Sequence, residues 1–166
     1  MKIYRAYHET PLGWVEINVS EGGILSLLFE NKIQQPIPYS LPDETHDLLN
    51  EAIMQLTEWF EGKRRSFSLP LAPKGTPFQH KVWEELKGIS YGETSTYARI
   101  ARRIGKPTAI RAVASAIGRN PLNIIIPCHR VLGSQGQLTG YGGELWRKAG
   151  LLRFEQENAG QCLRWG

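Results

Sequence analysis

Residues 120–131 read Asn-Pro-Leu-Asn-Ile-Ile-Ile-Pro-Cys-His-Arg-Val, and this stretch decides how the rest of the chain is interpreted. The β-branched run at 124–126 predicts a short buried strand, which Pro127 would end. Cys128 would then lie where a sheet stops. His129 and Arg130 follow it directly, and their positive charge would favour the thiolate of a thiol whose pKa is ordinarily about 8.5.

This cysteine has two interpretations. A free cysteine at a strand end usually fills space in an apolar core. The polar sequence Cys-His-Arg is nevertheless a poor core sequence, and a thiol near a histidine is a recognised nucleophile arrangement. Neighbouring residues of an extended chain point to opposite sides, so Cys128 and His129 could share a site only in a turn or through a bridging water molecule. We favour a nucleophile deprotonated through water.

Length and composition indicate an ordinary globular protein. The 166 residues suffice for one or two small domains, without repeats or low-complexity segments. The N-terminus does not resemble a signal peptide, and no apolar run is long enough to span a bilayer. We therefore expect a cytoplasmic protein without membrane contacts. Cys162, the only other cysteine, is not expected to form a disulfide in a reducing compartment.

Charge is distributed unevenly along the chain. Residues 1–70 contain 6 Lys and Arg against 10 Asp and Glu, whereas residues 71–166 contain 14 against 6. Between residues 94 and 143 there are seven basic residues and no acidic one. Such a segment suits a polyanion, for example a nucleic acid. A solvated basic face would have the same composition, so charge alone leaves both interpretations open.

Apolar and polar residues alternate in the N-terminal part of the chain, as is typical of β-strands. Residues 1–30 predict a small antiparallel meander, and residues 31–42, with three prolines, predict a loop. Asp43 and Glu44 would open a helix that Gly62 closes. Its predicted apolar stripe consists of Leu49, Ile53, Leu56 and Phe60.

The basic and proline-rich segment 62–75 is the candidate linker, and we place the two domains at residues 1–70 and 71–166. Thr76, followed by Pro77 at the first helical position and Gln79 two residues further on, predicts a capping box at the start of a core helix.

Two short helices with basic outer faces follow, at about 97–104 and 108–118, around Gly105-Lys106-Pro107. This pattern favours a helix-turn-helix, although any helical hairpin could produce it. The second helix would turn Ile110, Val113, Ala114 and Ile117 inward. Its expected outer face carries small side chains around a single Arg111, which suits shallow minor-groove docking better than base reading in the major groove.

The motif Pro-Cys-His-Arg-Val at 127–131, with Asn120 and Pro121 before it, resembles the active-site motif of the O6-alkylguanine-DNA alkyltransferases. The similarity is dense from about residue 75 to 155 and weaker before that. It implies an α/β (α+β) protein: an N-terminal RNase H-like domain with a small antiparallel sheet, then a mostly helical C-terminal domain with a helix-turn-helix. Some relatives bind zinc in the N-terminal domain. Residues 1–75 contain no cysteine and two histidines, so we expect no metal and no other cofactor.

The resemblance implies a function in DNA repair. Such proteins flip the damaged nucleotide out of double-stranded DNA and transfer the alkyl group from O6-alkylguanine irreversibly to their own cysteine, here Cys128. Each molecule reacts once. O4-alkylthymine is a further candidate substrate, and we expect a monomer, with cooperative binding to DNA left open. Alkyltransferase-like relatives lack the cysteine, and a helix-turn-helix regulator or a Cys-His hydrolase would not explain the other matched residues.

The resemblance also implies a role for individual residues. Glu155 would orient His129, and Lys148, on the same stripe of a helix predicted at 144–157, would lie near the nucleophile. An exposed helix edge with solvated charges is the alternative for these two residues. Tyr97 would assist rotation of the phosphate and donate a proton to the departing base, and its alternative is a half-buried core aromatic. Asn120 would brace the turn before the cysteine.

Two further sets of residues follow from the resemblance. Arg111 would fill the space that the flipped base leaves. The other implied DNA contacts are Lys106, Ala112, Ala114 and Ser134, in addition to Tyr97. The implied substrate pocket is lined by Cys128, Val131, Tyr141 and Gly142. The family usually has a glycine at the position of Ala114. We expect this difference to affect the affinity for DNA rather than the transfer reaction.

Overall fold

The computed structural model describes residues 2–30, 46–141 and 144–160. Asp43, Glu44, Gly142, Cys162 and the expected loop at 31–42 lie outside these ranges. The chain divides into two compact units, Met1–Lys74 and Gly75–Gly166. No described helix is long and apolar enough to cross a membrane. The described elements form the mixed α/β architecture that the sequence predicts.

The N-terminal unit contains a three-stranded antiparallel sheet in the order β1 (Tyr4–Thr10), β2 (Gly13–Ser20), β3 (Gly23–Phe29). The predicted meander is confirmed. Val15, Ile17 and Val19 of β2 are fully buried, as their alternation with polar residues requires.

Helix α1 (Asp47–Phe60) contributes to the same unit. His46 caps it, because its Nδ1 accepts a hydrogen bond from the backbone N–H of Leu48 at 3.1 Å. The predicted apolar stripe is partly wrong: Ile53 and Phe60 are half-buried, whereas Trp59 is fully buried. Leu49 and Leu56 lie in the core as expected.

Part of the candidate linker belongs to the sheet. The N–H of Ile24 in β3 donates to the carbonyl of Pro70, and the N–H of Ala72 donates to the carbonyl of Ile24, both at 2.8 Å. Leu71 therefore forms a parallel bridge with Ile24. These hydrogen bonds attach residues 70–72 to the N-terminal sheet, whereas the sequence predicted the domain boundary after residue 70.

The C-terminal unit begins with α2 (Pro77–Leu86), whose predicted capping box between Thr76 and Gln79 is present. Trp83, which the sequence did not single out, is buried in this helix. Its indole Nε1 donates to the carbonyl of Ala116 at 2.8 Å. Ala116 belongs to α4, so this hydrogen bond attaches the last turn of α4 to α2.

The predicted helix pair consists of α3 (Tyr97–Arg103) and α4 (Ile110–Gly118). Gly105 between them has a φ of 76°, which favours glycine. Val113 and Ile117 are buried as expected, but Ala114 is only half-buried. Ile110 is 42% exposed, so its predicted inward orientation is wrong. It occupies the first helical position, where the chain has just left the loop.

The unit is completed by a short parallel sheet and a helix. Strand β4 (Ser95–Thr96) pairs with β5 (Val131–Leu132), and α5 (Leu145–Asn158) follows. The predicted stripe on α5 is correct for Lys148, Leu152 and Glu155, which are buried. Leu145 is 46% exposed and does not belong to it.

Candidate active site

The three isoleucines before the cysteine do not form the predicted strand. Residues 123–125 form a turn, and Ile124 has a φ of 71°. Asn120 explains why: its amide Nδ2 donates to the carbonyl of Ile126 at 2.8 Å, and its Oδ1 accepts from the N–H of Leu122 at 3.0 Å. A side chain supplies the backbone partners that a neighbouring strand would have supplied. Ile124 remains buried, as apolar residues in a core do.

Replacing Asn120 with alanine should destabilise the protein by about 1–3 kcal/mol, because a buried N–H and a buried carbonyl would lose their partner. Urea denaturation measures this change. Asn158→Ala is the matched control, since Asn158 is exposed and its loss should change stability by less than about 0.5 kcal/mol. Equal, small effects of both substitutions would contradict a bracing role for Asn120.

The nucleophile candidate lies in a single 3₁₀ turn, Cys128–Arg130. In this turn Cys128 and His129 do not have to point to opposite sides, as they would in an extended chain. Cys128 is 4% exposed. Burial raises its thiol pKa, and the charge of Lys148 and a hydrogen bond from Asn120 lower it by less. The expectation that neighbouring cations favour the resting thiolate is therefore wrong, because burial outweighs them.

His129 and Arg130 both contact the carboxylate of Glu155. His129 Nε2 donates to Glu155 Oε2, and Arg130 Nε donates to Oε1 at 2.7 Å. The backbone N–H of Gly92 donates to Oε1 at 3.1 Å. Both His129 and Glu155 have no exposed surface. The exposed-edge alternative for Glu155 is thereby excluded.

The protonation states follow from these contacts. Burial would raise the pKa of Glu155, but the hydrogen bonds from His129 and Arg130 and the charge of Arg130 outweigh it and lower the pKa to about 2. Burial lowers the pKa of His129 more than Glu155 raises it. The imidazole is thus neutral, and because Nε2 donates to Glu155, Nδ1 is the nitrogen that can take a proton.

Lys148 and Tyr97 meet at the carbonyl of Thr139. Lys148 Nζ donates to this oxygen at 2.7 Å, and the Tyr97 hydroxyl donates to it at 3.1 Å. The Lys148 nitrogen also lies 5.7 Å from the centre of the Tyr97 ring. Burial lowers the pKa of Lys148 to about 8 and raises that of Tyr97. Both side chains are thus held on the loop that leads to Tyr141.

The expected pocket residues are only partly described. Val131 is fully buried directly after the nucleophile turn, and the hydroxyl of Tyr141 is buried. The pKa of Tyr141 is raised well above its usual value by burial and by the nearby Cys128. Tyr141 thus lies within the electrostatic influence of Cys128, whereas Gly142 lies outside the described residues.

The expected DNA-contacting residues other than Tyr97 are mostly exposed. Arg111 and Ala112 are exposed on α4, and Lys106 is exposed in the turn before it. Ser134 is exposed after β5, and Ala114 is half-buried. An exposed arginine among small side chains is the surface that the sequence predicted for α4.

Sequence reasoning missed the turn that ends α2. Arg130 was interpreted only as a charge beside sulfur, but its Nη1 donates to the carbonyl of Ile89 at 2.6 Å and its guanidinium lies 5.7 Å from the Tyr91 ring. Gly92 was not singled out either. Ile89 and Gly92 contribute a backbone carbonyl and a backbone N–H, groups that every non-proline residue has, so residue type carries no signal of this role.

Comparison with known proteins agrees with this geometry. The model of the "6-O-methylguanine DNA methyltransferase, DNA binding domain" matches residues 77–157, and that of the "ribonuclease-like domain" of the same methyltransferase matches residues 3–73. The chain belongs to the 6-O-methylguanine DNA methyltransferase family. The predicted family and its ribonuclease-like N-terminal domain are confirmed.

Several family members resemble the chain over nearly its whole length. A methylated-DNA–protein-cysteine methyltransferase of Methanosarcina barkeri is 47% identical over 153 residues, covering 90% of this chain and 95% of the relative. The constitutive protein of that name from Bacillus subtilis is 45% identical, with 92% and 95% covered. The solved Mycobacterium tuberculosis O6-methylguanine methyltransferase has a TM-score of 0.81 at 35% identity, with 95% and 94% covered.

Proposed function

We propose that the protein repairs DNA by transferring an alkyl group from O6-alkylguanine, and as a further candidate from O4-alkylthymine, to Sγ of Cys128. It acts as a methylated-DNA–protein-cysteine methyltransferase that reacts once. The observation that carries this proposal is the buried arrangement of Cys128, His129 and Glu155 in a chain of the 6-O-methylguanine DNA methyltransferase family.

The first step is proton transfer. The resting thiol is neutral because burial raises its pKa, so a base must remove the proton during the reaction. Neutral His129 takes it at Nδ1 through a water molecule, while Glu155 holds Nε2–H and stabilises the imidazolium. Arg130 and Gly92 keep the carboxylate in place.

The thiolate then attacks the alkyl carbon in line. An S–C bond forms as the C–O bond breaks, and its electron pair leaves with the guanine. Tyr97 is the proposed proton donor to this base, and Lys148, which shares the Thr139 carbonyl with it, can return a proton to the phenolate. The thioether product has no easy hydrolytic exit, so Cys128 is consumed. The chemistry needs no metal or organic cofactor.

Access to the sulfur requires base flipping. An alkyl group on a stacked guanine cannot reach a buried thiol, so the damaged nucleotide must leave the duplex. Arg111, exposed on α4, would fill the vacated space, with the remaining contacts at Lys106, Ala112, Ala114 and Ser134. The recognition surface would dock in the minor groove of double-stranded DNA with little sequence preference and with an affinity that falls with salt.

A solved relative supports DNA as the partner. The M. tuberculosis OGT in complex with DNA has a TM-score of 0.79 at 37% identity, with 92% of each chain covered. The protein would act as a cytoplasmic monomer. Cooperative binding of several monomers along DNA is a further candidate property.

Intact-protein mass spectrometry tests the proposed function. After mixing with a duplex that carries one O6-methylguanine, the protein should gain the mass of one methylene group, mapped to Cys128 by digestion. A duplex with unmodified guanine should give no gain. If the methylated duplex binds without any gain in mass, the chain is a lesion-recognition protein, and a gain at Cys162 would exclude Cys128 as the acceptor.

A further inference from the structure

Thr139 contacts the Tyr97 hydroxyl with two different groups. The backbone carbonyl of Thr139 accepts a hydrogen bond from the Tyr97 hydroxyl at 3.1 Å, and the Thr139 hydroxyl Oγ1 donates to the Tyr97 oxygen at 3.3 Å. Lys148 Nζ donates to the same carbonyl at 2.7 Å. A phenol has one proton to donate and an oxygen that also accepts. Thr139 therefore serves the Tyr97 hydroxyl both as an acceptor and as a donor.

The two contacts respond differently when Tyr97 gives up its proton. The carbonyl then loses the tyrosine as a donor but keeps Lys148. The Oγ1–H group gains, because a hydrogen bond to an ionised acceptor is stronger than one to a neutral acceptor. Burial raises the pKa of Tyr97, and the hydrogen bond from Thr139 opposes this effect. The Thr139 hydroxyl thus favours the phenolate in a half-buried position that disfavours it.

We propose that the Thr139 side chain is a positioning residue of the transfer reaction, whose hydroxyl stabilises the phenolate that remains when Tyr97 protonates the departing base. This role rests on the proposed function, in which Tyr97 is the proton donor. As the S–C bond forms and the C–O bond breaks, the electron pair leaves with the base, which takes the Tyr97 proton. The phenolate then takes a proton from the Lys148 ammonium. Oγ1 of Thr139 keeps its own proton throughout.

The first test compares Thr139→Val with Thr139→Ser. Valine has nearly the shape of threonine without the hydroxyl, serine keeps the hydroxyl, and both keep the backbone carbonyl. With a saturating duplex that carries one O6-methylguanine, intact-protein mass at timed intervals gives the transfer rate. Thr139→Val should be slower by about tenfold, as for a lost donor to a developing oxyanion, and Thr139→Ser should recover most of the rate. Equal rates for Thr139→Val and the wild type overturn the proposal.

DNA binding separates this role from a role in docking. The hydroxyl acts after the nucleotide is bound, so Thr139→Val should lower the transfer rate without weakening binding in fluorescence anisotropy. A loss of rate that saturating DNA fully restores would overturn the proposal.

A second electrophile separates this role from a change in the shape of the pocket. In a Cys162→Ser background, iodoacetamide forms an S–C bond with Cys128 and releases iodide, a leaving group that needs no proton. Thr139→Val should therefore react with iodoacetamide at nearly the rate of the parent. If both reactions are slowed equally, Thr139 only shapes the surroundings of the sulfur, and the proposal is wrong.

A double-mutant cycle with Tyr97→Phe tests whether Thr139 acts through the tyrosine. Phenylalanine keeps the ring but has no proton to donate and no phenolate to stabilise. Thr139→Val should therefore change the rate of the Tyr97→Phe protein by less than about twofold. A further tenfold loss in this background would mean that the two residues act independently, which contradicts the proposal.

The wild-type protein in the same assay distinguishes the two levels of interpretation. If the wild type gains no methylene mass, the proposed function is wrong, and the role of Thr139 is wrong with it. If the wild type and Thr139→Val transfer the methyl group equally fast, Cys128 remains the acceptor and only the role of Thr139 is wrong.

Discussion

Replacing Cys128 with serine should abolish alkyl transfer to the protein while leaving binding to methylated DNA near the wild-type level. Serine has nearly the same shape, but its hydroxyl ionises far less readily and is a much weaker nucleophile than a thiol. His129 and Glu155 remain in place, so the loss isolates the sulfur itself. Intact-protein mass after incubation with the methylated duplex measures transfer, and fluorescence anisotropy measures binding.

The control is Cys162→Ser, which should transfer as fast as the wild type. Because Cys128 is 4% exposed, a serine hydroxyl left there without a hydrogen-bond partner would cost about 1–3 kcal/mol of stability. Circular dichroism should therefore accompany the assay. Residual transfer by folded Cys128→Ser at the wild-type rate would place the acceptor elsewhere.

Replacing Glu155 with alanine should lower the free energy of unfolding by about 3–5 kcal/mol, because Arg130 would keep a buried charge without its partner. The Gly92 N–H and the His129 ring would lose their acceptor too. Chemical denaturation followed by circular dichroism measures the change. The double variant Arg130→Met with Glu155→Leu, which has no unpaired charge, should be more stable than Glu155→Ala.

The ionisation of Glu155 also makes the stability of the fold depend on pH. The folded-state pKa of Glu155 is about 2, below its ordinary 4.5, so its charge stabilises the fold above pH 4.5 and this contribution is lost as the pH falls toward 2. Glu155→Ala should lack this part of the acid-induced loss of stability. Identical acid profiles for the two proteins would contradict a strongly paired carboxylate.

The sequence predicted those features that rest on local patterns. The strands β1 to β3, the capping box of Thr76 and the burial of Lys148 and Glu155 follow from periodicity, capping chemistry and resemblance. Cys128 and His129 could be proposed together because they are adjacent in the chain, and the structure places both in one buried 3₁₀ turn.

The features that the sequence did not predict depend on contacts between distant parts of the chain. The isoleucine run favoured a strand by composition, but the side chain of Asn120 takes its backbone hydrogen bonds. The thiolate was expected from adjacent cations, yet Arg130 is occupied by Glu155 and burial decides the state of the sulfur. The local sequence also does not indicate that the indole of Trp83 donates a hydrogen bond to the carbonyl of Ala116.

The hydrogen bond from Gly92 to Glu155 has a consequence for synthesis on the ribosome. It joins residues 63 positions apart, and Arg130 reaches back 41 positions to Ile89. Such contacts form only after the intervening chain is available. A nascent chain that has exposed Cys128 but not yet α5 holds the sulfur without its orienting carboxylate. The orientation of His129 by Glu155 is therefore acquired only after α5 has been translated.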